Sequence, residues 1–172
     1  MFELWTPYFQ YWNAVFDYWM KTASLRFDHL DASHAASCAA LHPQGFAHPW
    51  KAHEFESLIS AANVVADGAF IDGELAGVCL SRYAAGEAEV LTLIVDEAHR
   101  RKGLAKALMQ RQSAHLETLG VTEWFLEVET TNLAALMLYQ NFKFNKVGER
   151  PAYYRHADGS LGHALIMRRS FD

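Results

Sequence analysis

The chain has little cysteine, little proline and no surplus of positive charge, and each shortage removes a class of explanation. Cys38 and Cys79 are its two cysteines among 172 residues, and both stand in apolar neighbourhoods. A disulfide framework and a zinc site are thereby excluded, and a reducing compartment fits. Lys and Arg number 15 against 20 Asp and Glu, for a formal net charge of -5. Proteins that neutralise nucleic-acid phosphates carry the opposite balance. The nine histidines show no metal-ligand spacing: His42, His48 and His53 share one loop region, and His156 and His163 another, so no metal is expected. No apolar run is long enough to span a bilayer. The first twenty residues contain Glu3 and Asp17 and no basic leader, which argues against a secretory signal. The expectation is a cytoplasmic protein, a monomer or weak homodimer, without nucleic-acid or membrane partners.

What is present is the balance of a globular domain, with 51% hydrophobic and 20% charged residues. The length suits one domain with a full core. Composition shifts once, near residue 22. In residues 1–22, Thr6-Pro7 reads as a cap and first helical position, and Trp5, Tyr8, Phe9, Trp12, Phe16 and Trp19 recur at helical spacing. This segment is expected to be an amphipathic helical extension to a domain over 23–172.

Within that domain, SLRFD from Ser24 predicts a strand, and Asp31 caps a helix. His42 to Trp50, HPQGFAHPW, is a loop punctuated by Pro43, Gly45 and Pro49, followed by a helix through Phe55, Leu58 and Ile59. Strands are expected around Ala69–Ile71, Glu74–Tyr83 and Glu87–Val95, with Asp72-Gly73 as a hairpin turn and a second turn at Ala84–Gly86. A long helix runs from about Gly103 to Leu119 and stops at Gly120. WFLEVE (Trp124–Glu129) is a strand, Asn132 caps a helix through Tyr139, and strands near Phe144–Glu149 and Ala164–Arg169 close the chain. An antiparallel meander followed by one β-α-β crossover predicts an α/β fold: a mixed, mostly antiparallel sheet flanked by helices.

The stretch VDEAHRRKGLAKALM (Val95–Met109) stands out. A β-branched run ends in basic residues and a glycine and turns at once into a helix. The first amides of that helix lack intrahelical partners, and its dipole adds about half a positive charge there. Arg100, Arg101, Lys102 and Lys106 surround the same point, and Gly103 lets a ligand approach the backbone. A pyrophosphate suits such a place; a solvated basic turn capping a helix is the alternative on these residues alone.

Arg100-Arg101-Lys102-Gly103-Leu104-Ala105 resembles the R/Q-x-x-G-x-G/A pattern of the GCN5-related N-acetyltransferases. With WFLEVETTNLAALMLYQNFKF, AYYRHADGSLGHALIM and FAHPW, the chain from about Leu25 to Arg169 looks like the ribosomal-protein-alanine N-acetyltransferases of the RimI type. That resemblance implies acetyl-coenzyme A as cosubstrate and a protein N-terminus, the alanine of ribosomal protein S18, as acceptor. It implies that Leu93, Ile94 and Val95 offer backbone groups to the pantetheine arm. Arg100 through Lys106 would hold the phosphates (Arg100, Arg101, Lys102, Gly103, Leu104, Ala105 and Lys106), and Asn132 would touch the cofactor. Glu127 would be the base and Tyr139 the acid, with Trp50, Tyr153 and Tyr154 lining the peptide groove. An acetyltransferase acting on lysine, polyamine or another small amine, and a coenzyme A-binding sensor without turnover, remain open.

Two positions depart from the subgroup. Glu129 stands where arginine is frequent, and Lys143 where glycine usually stops the helix. A lysine forced into a left-handed conformation costs on the order of 1 kcal/mol, so either Lys143 bears it or Asn141 takes the turn instead.

Overall fold

The computed structural model describes residues 24–155 and 161–171. The aromatic segment expected as a helix over 1–22 lies outside the described residues. The elements, in chain order, are β1 (Leu25–His29), α1 (Ala35–Leu41), α2 (Ala52–Ile59), β2 (Val64–Ile71), β3 (Glu74–Ala84), β4 (Glu87–Val95), α3 (Leu104–Thr118), β5 (Glu123–Glu129), α4 (Leu133–Asn141), β6 (Asn145–Arg155) and β7 (Leu161–Ser170). The strands form one sheet in the order β1-β2-β3-β4-β5-β7-β6. Only β4 and β5 pair in parallel, joined by the α3 crossover, and every other neighbour is antiparallel. This is the mixed, mostly antiparallel sheet that the sequence predicts.

Local chemistry explains most of the boundaries. The β2–β3 turn places Asp72 and Gly73 at φ 51 and 90, and the β3–β4 turn places Ala85 and Gly86 at 51 and 84, the paired left-handed residues of a tight hairpin. Asp31 accepts from the Ser33 amide at 2.9 Å and caps a short turn that leads into α1. Asn132 accepts from the Ala135 amide at 3.1 Å, which starts α4.

The sheet carries a core on each face. On one side α3 lays Leu104, Leu108, Met109 and Leu116 against Cys79, Trp124, Leu126 and Val128. On the other, α1 and α2 bring Cys38, Leu41, Phe55 and Ile59 onto Val64, Ala66, Val78 and Leu80. Along β5 the burial alternates strictly, so Trp124, Leu126 and Val128 enter the α3 core while Phe125 and Glu127 face the opposite side. There α1 and α2 leave a cleft.

Strand β2 is longer than its sequence suggests. All eight of its residues are buried, so no polar alternation marks its start, and Asp67 in its middle reads as a break. Asp67 is fully buried yet satisfied: it accepts from Arg111 Nε at 2.8 Å, Gln112 Nε2 at 2.9 Å and pairs with His115 Nδ1 at 3.1 Å. A carboxylate can sit there only because α3 brings these groups to it.

The stop of α4 resolves the alternative left by the sequence. Lys143 itself adopts φ 67, while Asn141 stays helical. The Lys143 amide donates to Gln140 O at 3.0 Å and the Phe144 amide to Tyr139 O at 3.1 Å, the two bonds of a Schellman stop. Phe144 then meets the Tyr139 ring edge-on at 5.9 Å. Lys143→Gly should therefore stabilise the protein by about 1 kcal/mol, read as a raised midpoint in urea denaturation. An unchanged or lowered midpoint would show that the lysine bears no strain.

Candidate active site between two parted strands

The site begins where the sheet comes apart. Pairing between β4 and β5 is limited to Glu87↔Glu123, Ala88↔Trp124 and Glu89↔Phe125. Beyond these, β4 is bent by a register irregularity opposite Leu80 and Ser81, which makes Leu91 an extra residue and turns the strand away from β5. Among the described residues the end of β4 is thus left without a strand partner on its β5 side.

Alternation decides which residues face that side. The Asp96 amide donates to Ala76 O at 2.9 Å, and Ile94 O lies toward Gly77 on β3. The peptide groups of Ile94 therefore turn to β3, and those of Leu93 and Val95 to the open side. Ile94 adds packing instead, with its side chain buried against α1 and α2. The Val95 carbonyl already accepts from Arg100 Nε at 3.2 Å.

At the end of that edge the chain makes the basic turn. Arg101 and Gly103 have φ 63 and 78, and Gly103 is the residue before α3, with no side chain capping the helix. Among the described residues nothing lies within 4 Å of where a Gly103 Cβ would stand, so the backbone conformation at φ 78 is what calls for glycine. The amides of Leu104, Ala105 and Lys106 have no intrahelical acceptor. Arg101 and Lys106 are exposed around them, whereas the Leu104 side chain is in the core, so only its amide faces the turn. Arg100 is spent largely on the loop: besides Val95 O it reaches Gln44 O at 2.7 Å and Glu97 at 3.3 Å. Open space, free amides and flanking cations fit a diphosphate.

On the opposite side, a cleft of about 390 Å³ is lined by Arg82, Glu89, Phe125, Glu127, Arg150 and Ile166, among others. Glu127 is 14% exposed, and its Oε1 receives Arg150 Nε at 2.7 Å. Tyr153 hydrogen-bonds the Glu127 side chain, and this bond, together with burial and the negative charge of Glu127, raises the Tyr153 hydroxyl above its usual range. Arg150 also lies over the Tyr153 ring at 5.5 Å. The structure thus joins Glu127 and Tyr153, which the sequence had assigned separately, and adds Arg150, which it had not singled out. Tyr154 pairs through its backbone with Gly162. Tyr139 is buried against Phe144 and the α3 core, and Asn132 caps α4.

Trp50 is committed to packing. Its ring stacks on His42 at 5.0 Å and meets Phe55 edge-on at 5.4 Å. The centre of this cluster is His42, which the sequence left as one of several unremarkable histidines. Its Nδ1 accepts from the Trp50 amide at 2.9 Å, so the proton sits on Nε2, which donates to Thr92 Oγ1 at 3.2 Å. Phe46 stacks on the other side at 4.1 Å. Both ring nitrogens are used, and burial pushes His42 down from 6.5 to about 4, with Glu54 opposing weakly. Buried Cys38 is pushed up to about 12 and stays an inert thiol. Among the described residues no group of three or more His, Cys, Asp or Glu is placed to hold a metal, and no helix is long and apolar enough to cross a membrane.

Comparison with known proteins agrees with this geometry. Residues 12–144 match the acetyltransferase (GNAT) family, and the chain belongs to that family. It is 35% identical over 146 residues, 81% of this chain and 89% of the relative, to the N-alpha-acetyltransferase RimI of Mycobacterium tuberculosis. It is 34% identical over 96 residues, 56% of this chain, to the ribosomal protein bS18-alanine N-acetyltransferase of Escherichia coli K12, and spans 64% of the length of that relative. The crystal structure of the E. coli ribosomal-protein-S18-alanine N-acetyltransferase superposes with a TM-score of 0.79 at 27% identity, covering 85% of this chain and 93% of that one. The family match begins inside the segment set apart on composition as an extension.

The buried histidine makes the stability of the His42–Trp50 loop depend on pH. Unfolded, His42 takes a proton near pH 6.5; folded, it resists until about pH 4. Its contribution is therefore complete above 6.5 and is lost as pH falls through this window, by on the order of 3 kcal/mol at most. His42→Phe, which keeps a stacked ring, should flatten the difference in thermal stability between pH 7 and 4.5. It should also cost about 1–3 kcal/mol at pH 7 for the unpaired Trp50 amide. An unaltered pH slope would assign the acid sensitivity elsewhere.

Proposed function

We propose that the protein transfers acetyl from acetyl-coenzyme A to the α-amine of a protein N-terminus, the alanine of ribosomal protein S18, in the cytoplasm. The observation that carries this reading is the parting of β4 from β5, with a basic turn and uncapped helix amides at one end and an ion-paired carboxylate in the cleft across the sheet. A linear cosubstrate laid along Leu93 and Val95 would bring its thioester between them. The names of the M. tuberculosis and E. coli relatives support the N-terminal acceptor.

Acetyl-coenzyme A supplies an activated acyl group, and the chain supplies proton handling and position. Arg101, Lys102, Lys106 and the first amides of α3 hold the diphosphate, with Arg100 stiffening the turn and Asn132 beside the cofactor. Glu127 takes a proton from the acceptor amine, directly or through water. Its carboxylate has room for this, because Arg150 and Tyr153 occupy two of about four lone-pair positions. The neutral amine attacks the acyl carbon, the carbon–sulfur bond breaks, Tyr139 gives its proton to the departing sulfur, and the second proton shed by the new amide nitrogen passes through water to restore the tyrosine. Tyr153 and Tyr154 border the peptide groove, and Trp50 supports its other wall through His42.

Magnitudes favour an α-amine. With a pKa near 8 it is roughly 10–20% neutral at pH 7, whereas a lysine near 10.4 is neutral to well under 0.1%. A single carboxylate therefore has far less work to do with the first than with the second.

Incubation with acetyl-coenzyme A, an S18 N-terminal peptide, an N-blocked lysine peptide and a polyamine, read by mass spectrometry, tests the assignment. Acetylation of the alanine amine is expected; acetylation confined to lysine or polyamine would refute the acceptor, and binding without product would refute turnover. Tyr139→Phe and Glu127→Gln should each lower kcat roughly 10²–10⁴-fold. Full activity in a folded variant would remove that residue from the mechanism.

A further inference from the structure

The His42–Trp50 loop and the phosphate turn belong to opposite sides of the proposed reaction, yet they are bonded to each other. Gln44 makes the connection. Its Nε2 donates to Asp96 Oδ2 at 3.0 Å, its Oε1 accepts from the Glu97 amide at 2.8 Å, and its backbone carbonyl accepts from Arg100 Nη2 at 2.7 Å. Asp96 and Glu97 open the turn that leads to Arg101 and Gly103, and Asp96 also accepts from the Ala98 amide at 2.9 Å. Two residues before Gln44, His42 fastens the same loop to Thr92 and to Trp50. The loop is therefore attached at two heights on one strand: at Thr92 by His42, and just past its end by Gln44.

We propose that Gln44 is a positioning residue that couples the acceptor loop to the phosphate turn, so that occupancy of either strengthens binding at the other. This rests on the acetyltransferase reading above and adds to it a particular link. The turn holds two residues at positive φ, one of them arginine, a conformation that a bound diphosphate would favour through the amides it engages. A settled turn fixes Asp96 and Glu97, and these fix Gln44 through both ends of its amide. The loop between Gln44 and Trp50, which the proposed function sets beside the acceptor groove, then has less freedom left to lose when a peptide binds. Thermodynamic linkage makes the effect reciprocal.

Calorimetric titration of the whole protein tests this without turnover, using coenzyme A and the alanine-initiated S18 peptide. In the wild type, saturating coenzyme A is expected to tighten peptide binding about 5–20-fold, within the usual span of coupled sites. Gln44→Ala removes both side-chain bonds and should bring that ratio to within about twofold, with little change in melting temperature. Gln44→Glu alone should also lose the coupling, because two carboxylates then face each other. The pair Q44E with D96N exchanges donor and acceptor across the same bond and should restore it. A Gln44→Ala protein that binds peptide more weakly by the same factor with and without coenzyme A would overturn the proposal, since that is what simple loosening of the loop produces. So would a wild-type ratio near one. If the wild type binds no coenzyme A at all, the acetyltransferase reading itself falls and takes this inference with it, an outcome distinct from binding without coupling.

Discussion

The separation of β4 from β5 after three residue pairs is the constraint on which the rest of the molecule turns. A sheet interior does not part without cause, since each buried peptide group left without a partner costs about 1–3 kcal/mol. The two strands are held by their side chains instead of by each other. Trp124, Leu126 and Val128 anchor β5 in the core under α3, and Val95 anchors the end of β4 in the same core. The crossover helix packs so closely over β3 that a Cβ at Gly77 would stand 3.1 Å from Leu108 and 3.3 Å from Ile94 O. With both strands fixed from one face, the gap between them becomes a property of the fold, and an extended ligand can complete the missing ladder.

Fixing α3 is the harder part of that arrangement, because its N-terminus is left uncapped by any side chain, as the proposed diphosphate site requires. The helix is secured at its other half. Gln112, fully buried, shares the two protons of its Nε2 among Val65 O, Cys79 O and Asp67 Oδ2, at 3.2, 3.1 and 2.9 Å, so one amide spans two strands. Arg111 and His115 flank it and complete the surroundings of Asp67. Removing one member would leave the carboxylate or a strand carbonyl buried without its donor, which is more costly than never having placed it there. The polar knot in the core and the empty amides at the surface are two ends of one requirement: a rigid helix whose first turn is left unsatisfied by the protein.

Sequence patterns show what depends on local chemistry. The two hairpin turns, the bounds of β4, the Asn132 cap and the helix after the basic turn follow from residue types that have few other uses. The alternation in WFLEVE places Glu127 opposite the α3 core, and the run of cations before Gly103 marks the turn into α3. Less is legible where distant groups decide. Asp67 hides the first half of β2, because its partners lie more than forty residues on. The insertion of β7 between β5 and β6 leaves no mark in either strand. Arg150 and Gln44 look like ordinary surface residues until β6 and the His42–Trp50 loop are in place, and His42 looks like any loop histidine until its two nitrogens are both seen to be used. Even the resemblance that placed Leu93, Ile94 and Val95 together could not say that the peptide groups of Ile94 turn to β3 while those of its two neighbours turn away.

Lys143 makes the same point from the other direction. Glycine is favoured at such a helix stop because it is free of the left-handed penalty of about 1–2 kcal/mol. The lysine accepts that conformation because its neighbours leave no better alternative. Two amide bonds close the helix onto Gln140 and Tyr139, and burying Phe144 against Tyr139 and Trp124 is worth on the order of 2 kcal/mol by itself. Together these exceed the strain, so the backbone follows the same path with lysine in the turn. The ring set in place by this stop is that of Tyr139. A departure from the subgroup pattern thus leaves the frame of the proposed acid intact, because the geometry is enforced by the residue after the turn and not by the one within it.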